Sequence, residues 1–238
     1  MNNNDLKFEG LADSRYSLSS AFPLLMRKVY VWMTLALVIT GVTAYGVATS
    51  PGIMTAIYSS RGLFFGLIIA ELALVWGVSA AISRLSLMTA TLLFIAYSVL
   101  NGVTLASIFV VYTMSSIANV FFITAGTFAV MAFLGYTTKK DLSPVGRVLF
   151  MALIGLIIAS VVNWFVASSG LMMILNYVGV LVFVGLTAYD SQKIKQLLQQ
   201  ADTADESMQK LALLGSLTLY LDFINLFLYL LRFLGDRK

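Results

Sequence analysis

Seven long apolar runs, separated by short polar breaks, dominate this chain. They cover residues 29–49, 63–83, 87–111, 117–136, 146–167, 171–190 and 211–234. Each run is close to the ~20 residues that an α-helix needs to cross the hydrocarbon core of a bilayer. The pattern predicts an all-α membrane protein with seven transmembrane helices. It also divides the chain into a polar cytoplasmic N-terminal tail, residues 1–27, and one transmembrane domain, residues 28–238.

The positive charges predict how the helices are oriented. If the N-terminus is cytoplasmic, eleven of the 15 lysines and arginines lie in the tail or in the second, fourth and sixth loops. Cytoplasmic loops are the ones enriched in basic residues. Three more basic residues, Arg232, Arg237 and Lys238, lie at the C-terminus. The seventh run either spans and leaves them outside or re-enters and returns them inside. The length of the run favours spanning, with the C-terminus outside.

Composition supports a membrane environment and excludes several kinds of site. Hydrophobic residues make up 60% of the 238 residues and charged residues 11%, against about 25% charged in soluble domains. The net charge of +4 resides in loops and tails, so we expect no nucleic-acid partner. The chain has no cysteine and no histidine, which excludes disulfides, thiolate or imidazole metal sites and the usual proton sensor of neutral pH. No cofactor is expected.

Three acidic residues lie within the apolar runs or at their margins. Glu71 is near the middle of the second run, Asp190 ends the sixth, and Asp222 lies in the seventh. An aspartate at the centre of a membrane helix costs roughly 2.5 to 3.5 kcal/mol on insertion scales, so it is a functional candidate by default. Because one loop joins the sixth and seventh helices, we expect Asp190 and Asp222 to meet. Two such carboxylates cannot both ionise cheaply, so the pair is expected to share a proton.

A polar stripe accompanies Asp222 along the seventh helix. Thr218 at i−4, Asn225 at i+3 and Tyr229 at i+7 lie on the same helix face. This face predicts that the seventh helix is directed toward the interior of the bundle rather than toward lipid.

Several other polar residues have a structural interpretation. Asn101 and Thr104 of the third helix and Asn163 of the fifth are typical of hydrogen-bonding groups between membrane helices. Glu71 is either a protonated structural carboxyl or part of an ion pathway. Arg84, at the cytoplasmic end of the second helix, either extends to lipid head groups or acts as an electrostatic partner of the aspartates.

The tracts "GLTAYDSQKIK" and "LTLYLDFINLFLYLLRFLG", together with "GYTTKKDLSPVG" before them, resemble the Bax inhibitor 1 family, also called the transmembrane Bax inhibitor motif proteins. The resemblance extends over residues 25–236, and the length and simple tail are similar to those of bacterial members. It implies seven helices with helix 7 enclosed by helices 1–6, in the bacterial inner membrane. It also implies a pH-dependent calcium leak.

The resemblance also implies roles for individual residues. The proton-sensing pair of the family corresponds to the aspartates of "AYDSQ" and "YLDFIN", which are Asp190 and Asp222. A basic residue that interacts with this pair in relatives matches Arg84, and an acidic residue on helix 2 matches Glu71. The function implied is a pH-sensitive calcium leak channel or transporter gated by the buried aspartate pair.

Calcium is expected as the transported ion rather than as a bound cofactor. Ca²⁺ prefers 6–8 oxygen ligands, and Asp190, Asp222 and Asn225 with a few carbonyls offer fewer. A weak calcium contact at the pair suits an ion that has to leave again. With Thr218 and Glu71, these residues form the expected ion pathway.

Two other classes of function remain open. The chain can be a membrane interaction protein that regulates other membrane proteins, such as proteases or cell-death factors. An intramembrane enzyme is disfavoured, because the Gly-x-Gly-Asp signature of aspartyl proteases in membranes is missing from the sequence. The expected partners are therefore the lipid bilayer, calcium ions, protons and other membrane proteins, and no enzymatic activity is expected.

Overall fold

The computed structural model describes the backbone of residues 3–200 and 203–238 and, within these ranges, the side chains from residue 21 onward. Nine helices lie in the described residues: α1 (Asn3–Ala48), α2 (Pro51–Ser59), α3 (Arg61–Ala81), α4 (Leu87–Leu105), α5 (Ile108–Val111), α6 (Met114–Thr137), α7 (Ser143–Val166), α8 (Ser169–Gln199) and α9 (Glu206–Leu234). Seven segments are long and apolar enough to cross a membrane. This confirms the predicted all-α fold with seven transmembrane helices.

The helix boundaries differ from the apolar runs in three places. The first loop folds into α2, with Pro51 at its start, where a missing backbone N–H does no harm. The apolar part of α1 begins at Ala21, within a helix that starts at Asn3; the division of the chain between residues 27 and 28 stays a prediction. Helix α9 begins at Glu206 rather than near residue 211, because the Asp205 side chain caps it.

Helix α9 is the most buried of the seven spans. It packs against α8, α1, α6 and α4, and 67% of its most apolar window is buried, compared with 6% for Arg61–Ala81 in α3. This position agrees with the polar stripe, which required an interior face. Enclosure by all six other spans stays a prediction.

Both ends of α9 are anchored at opposite ends of the bundle. At its start, Glu206 Oε1 accepts a hydrogen bond from Leu87 N at 2.9 Å, which satisfies an N–H at the start of α4. After its last turn, Lys238 N donates to Val111 O at 3.0 Å, beside α5. Helix α9 therefore crosses the whole bundle as one continuous helix, which favours spanning over re-entry for the last run.

Small residues bring α8 close to its neighbours. A Cβ atom placed on Gly135 of α6 would collide with the backbone carbonyl oxygen of Ala188 in α8. A Cβ atom on Gly146 of α7 would collide with the ring of Tyr189. Such close helix contacts are typical of membrane proteins, where packing rather than water exclusion holds helices together. They fix the part of α8 that carries Asp190.

Candidate functional site

The two aspartates of the sixth and seventh spans lie side by side in the interior. Asp190 of α8 is 7% exposed and Asp222 of α9 is 5% exposed, and both line the same cavity. Asp222 Oδ2 has no donor partner among the described residues. A proton shared between the two carboxyl groups would supply the hydrogen that this oxygen lacks.

A cavity of about 330 Å³ opens beside the aspartate pair and contains the polar stripe of α9. Thr218, Asn225 and Tyr229 line it together with both aspartates and apolar residues of α7. Thr218 Oγ1 donates to Leu214 O at 3.1 Å, and Asn225 Nδ2 donates to the carbonyl of Leu221 at 2.8 Å. The Thr218 hydroxyl donor and one of the two Asn225 N–H donors are used within α9, and the oxygen lone pairs of both side chains remain available to the cavity.

Two further cavities adjoin this central one. A cavity of about 460 Å³ at the C-terminal end of the bundle shares Tyr229 with it and is also lined by Arg232 and Arg237. A cavity of about 110 Å³ on the other side shares Asp190 and Thr218 with it. The three spaces therefore follow one another along α9, with Tyr229 at one boundary of the central cavity and Asp190 and Thr218 at the other.

Tyr229 is held in place at the boundary between the C-terminal and central cavities. The Cδ1 and Cε1 atoms of its ring lie only 2.5 Å from where a Cβ of Gly179 would be. The Arg232 guanidinium lies 5.5 Å from the ring centre on the same helix, a cation–π distance. The glycine makes room for the ring, and the arginine covers it from the C-terminal side.

Glu71 belongs to a second polar cluster, on another face of α9. It accepts hydrogen bonds from Thr104 Oγ1 at 2.7 Å and from Asn101 Nδ2 at 3.3 Å. Tyr220 donates to Asn101 Oδ1 at 2.9 Å, and its hydroxyl lies 2.7 Å from Thr40 Oγ1. We call these five residues the tyrosine network. The interhelical interpretation of Asn101 and Thr104 matches this geometry.

The tyrosine network and the aspartate pair are separate sites. Tyr220 and Asp222 are two residues apart, which places their side chains on nearly opposite faces of a helix. Glu71 lines none of the three cavities along the aspartate face. Its place in an ion pathway stays a prediction.

The structure places Arg84 away from the aspartates. It is exposed in the turn between α3 and α4 and lines none of the three cavities. The cation that faces Asp190 is Lys193, which also lines the smallest cavity. The role of Arg84 as electrostatic partner of the pair stays a prediction.

Sequence reasoning missed Lys193, Tyr220 and Thr40. Lys193 stands three residues after Asp190 in "YDSQK", and this spacing places two side chains on neighbouring helix positions. Tyr220 is the aromatic hydroxyl-bearing residue of the stretch "LTLYL", whose other polar residue is Thr218. No sequence signal pairs Thr40 with Tyr220, because the contact joins two distant segments.

The donor set of this site suits protons and weakly held cations. Among the described residues, no three histidine, cysteine, aspartate or glutamate side chains lie close enough to hold a metal ion together. A calcium ion at the pair would meet two carboxylates and the oxygens of Thr218 and Asn225, fewer than the ligands of a tight site.

Comparison with known proteins gives matches along nearly the whole chain. A family model described as "Inhibitor of apoptosis-promoting Bax1" matches residues 23–238. The inner membrane protein YbhL of Escherichia coli K12 is 53% identical over 214 residues, which cover 90% of this chain and 92% of the relative. An uncharacterized protein of Borreliella burgdorferi is 47% identical, with 90% and 92% covered. Protein RP147 of Rickettsia prowazekii is 44% identical, with 90% and 89% covered. The chain is accordingly a multi-pass protein of the bacterial inner membrane.

Proposed function

The chain belongs to the Bax inhibitor 1 family, as its motifs predicted, and on that premise we propose that it is a pH-sensitive calcium leak gated by Asp190 and Asp222. The observation that carries the proposal is the juxtaposition of the two buried carboxyl groups next to a polar cavity. A buried carboxylate pair lets a chain without histidine respond to protons near neutral pH.

The cavities along α9 support a route for the ion. They lead from the C-terminal end, past Tyr229, to the central cavity and then past the aspartate pair to the smallest cavity. Oxygen atoms of Thr218 and Asn225 face this route, and they replace part of the hydration shell of a passing cation. The proposed orientation has the N-terminus in the cytoplasm, so that the smallest cavity lies on the cytoplasmic side.

The gate operates through the proton that the pair shares. With one proton, the two carboxyl groups are hydrogen-bonded and α9 is held against α8. Loss of that proton leaves two carboxylates that repel each other in a poorly solvated place. The helices then separate or water enters, and the route past the pair opens. Moderate acid closes the route, because the pair then holds its shared proton. Stronger acid protonates both carboxyl groups, which removes the hydrogen bond through the shared proton and opens the route again.

The decisive experiment measures calcium flux into proteoliposomes over a pH series. Asp190→Asn and Asp222→Asn each keep hydrogen bonding but remove the charge pair. Each is expected to flatten the pH response between about pH 6 and pH 8, a window that follows from the size of shifts in carboxylate pairs. The double substitution should resemble the single ones, because the pair acts as one unit.

Asp141→Asn provides the matched control. Asp141 lies in the loop between α6 and α7, where the Ser143 side chain and its backbone N–H, which donates at 2.9 Å, hold the pKa of Asp141 below its usual value. It stays ionised throughout the tested range, so this substitution removes an aspartate without altering the pH profile. Full pH dependence in both Asp190→Asn and Asp222→Asn would locate the proton sensor elsewhere, with Glu71 as the next candidate.

A membrane interaction protein that regulates proteases or cell-death factors is the alternative function. Its support is that the matching family is described as an inhibitor of apoptosis-promoting Bax1. Folded protein that moves no ions at any pH in the vesicle assay would favour this alternative over the leak.

A further inference from the structure

A long apolar groove lies between α1 and α6 on the membrane-facing surface. Both helices pack against α9, and the space between them is about 670 Å³, with Phe223 of α9 among the residues that line it. We call this space the α1–α6 groove. It is separate from the three cavities along the aspartate pair, none of which shares a residue with the α1 side of the groove.

The dimensions of the groove match a lipid chain. It extends from Pro23 to Leu37 on α1, which is about 21 Å at 1.5 Å per residue. Arg27 lies near the start of the groove, and Leu37 is about 15 Å beyond it along α1. Half of a hydrocarbon core is also about 15 Å thick, so a groove that begins at the interface reaches about the bilayer midplane. An apolar space at this depth does not hold water, so the molecules that reach it are hydrocarbon chains.

The interfacial end of the groove is positively charged. The exposed side chain of Arg27 lines it there, opposite Tyr136 of α6. Lys195 approaches the same end, with its Nζ 5.1 Å from the centre of the Tyr136 ring and donating to Tyr136 O at 2.7 Å. Among the side chains that the structure describes, none of those lining the groove is acidic. This end is complementary to an anionic group, and an arginine is suited to the bidentate recognition of phosphate.

From this geometry we infer that the α1–α6 groove binds an anionic phospholipid, with one acyl chain along the groove and the phosphate at Arg27. The acyl chain lies against Phe223, the residue next to Asp222, and against the aromatic rings of α6 that pack on Phe223. The site is independent of the proposed ion leak, because it needs neither aspartate and its occupancy is measured without flux.

Native mass spectrometry of the purified full chain tests this inference. The protein in mild detergent is mixed with phosphatidylglycerol or with phosphatidylcholine of the same acyl chains, and the retained lipid is counted. We expect one tightly retained phosphatidylglycerol, preferred about tenfold over phosphatidylcholine. Both lipids carry the phosphate, but the choline cation cancels the net charge of phosphatidylcholine and is repelled by Arg27 and Lys195. Arg27→Gln should abolish the preference, while Ala129→Phe, at an exposed position lining the groove, should reduce retention of both lipids.

Arg147→Gln is the control variant. Arg147 is an exposed arginine near the start of α7, at the same end of the bundle and outside the groove. It should leave lipid retention unchanged. The inference would be overturned if the unmodified protein retained the two lipids equally, or if Arg147→Gln and Arg27→Gln lost the preference for phosphatidylglycerol to the same extent. Full lipid retention in Ala129→Phe would also overturn it. Spectra that show a dimer of the chain without bound lipid would also overturn it, because a second copy would then occupy the groove.

Discussion

Removal of the Tyr220 hydroxyl is expected to destabilise the bundle without disturbing its shape. Tyr220 is fully buried, donates to Asn101 Oδ1 at 2.9 Å and lies 2.7 Å from Thr40 Oγ1. Tyr220→Phe keeps the ring, and with it the edge-on contacts with Phe94 at 6.0 Å and Tyr97 at 5.9 Å. The substitution therefore isolates the two hydrogen bonds.

The expected loss is about 1–2 kcal/mol in the free energy of unfolding. Hydrogen bonds between membrane helices average roughly 0.6 kcal/mol and reach about 1.7, and two are lost here. Asn101 Oδ1 is also left without its donor in a buried place, which adds to the cost. Thr40 keeps an alternative hydrogen-bond acceptor, because its hydroxyl donates to Ser98 O at 2.9 Å. The free energy lost with the Thr40 hydrogen bond is therefore near the lower end of the range.

Reversible unfolding in mixed micelles with increasing dodecyl sulfate, followed by far-ultraviolet circular dichroism, measures this loss. Tyr97→Phe is the matched control, since the Tyr97 ring packs against Tyr220 but its hydroxyl is not part of the tyrosine network. It should cost less than half as much as Tyr220→Phe. Equal costs for the two variants would refute the reasoning, because the hydroxyl of Tyr220 would then contribute no more than that of Tyr97, which lies outside the tyrosine network.

Three further predictions concern packing, charge and orientation. Gly135→Ala should cost at least about 1–3 kcal/mol in the same unfolding assay, because its Cβ collides with the backbone of α8, whereas Gly126→Ala on the same helix faces open space and should be neutral. Lys193→Ala should move the pH midpoint of calcium flux upward, because a neighbouring cation favours the ionised form of the aspartate pair. The same shift in Arg84→Ala would show that this exposed arginine also acts on the pair. An unchanged pH profile in Arg84→Ala would leave Arg84 as an interfacial residue. A reporter that is active only outside the cytoplasm should be active when it is fused after Lys238. A cytoplasmic location of this fusion would contradict the proposed orientation.

The sequence determined the number and nature of the membrane-spanning helices. Each span is an apolar run long enough to satisfy its own backbone hydrogen bonds in lipid, where nothing else can satisfy them. Asp222 and its stripe also fixed which face of the last helix points inward, because a carboxylate directed at lipid is costly. The meeting with Asp190 was predictable since a single short loop joins their helices.

Only the tertiary structure decided which polar groups form partners across the bundle. Thr40 and Tyr220 are 180 residues apart, and nothing in their local sequence distinguishes them from other hydroxyl groups in apolar helices. The cation near Asp190 is Lys193 of the same helix, whereas Arg84 stays in an exposed turn. The α1–α6 groove exists because two helices rest on α9 without closing on each other. Such features depend on the tilt and rotation of packed helices, which are set by side-chain contacts between distant segments rather than by hydropathy along the chain.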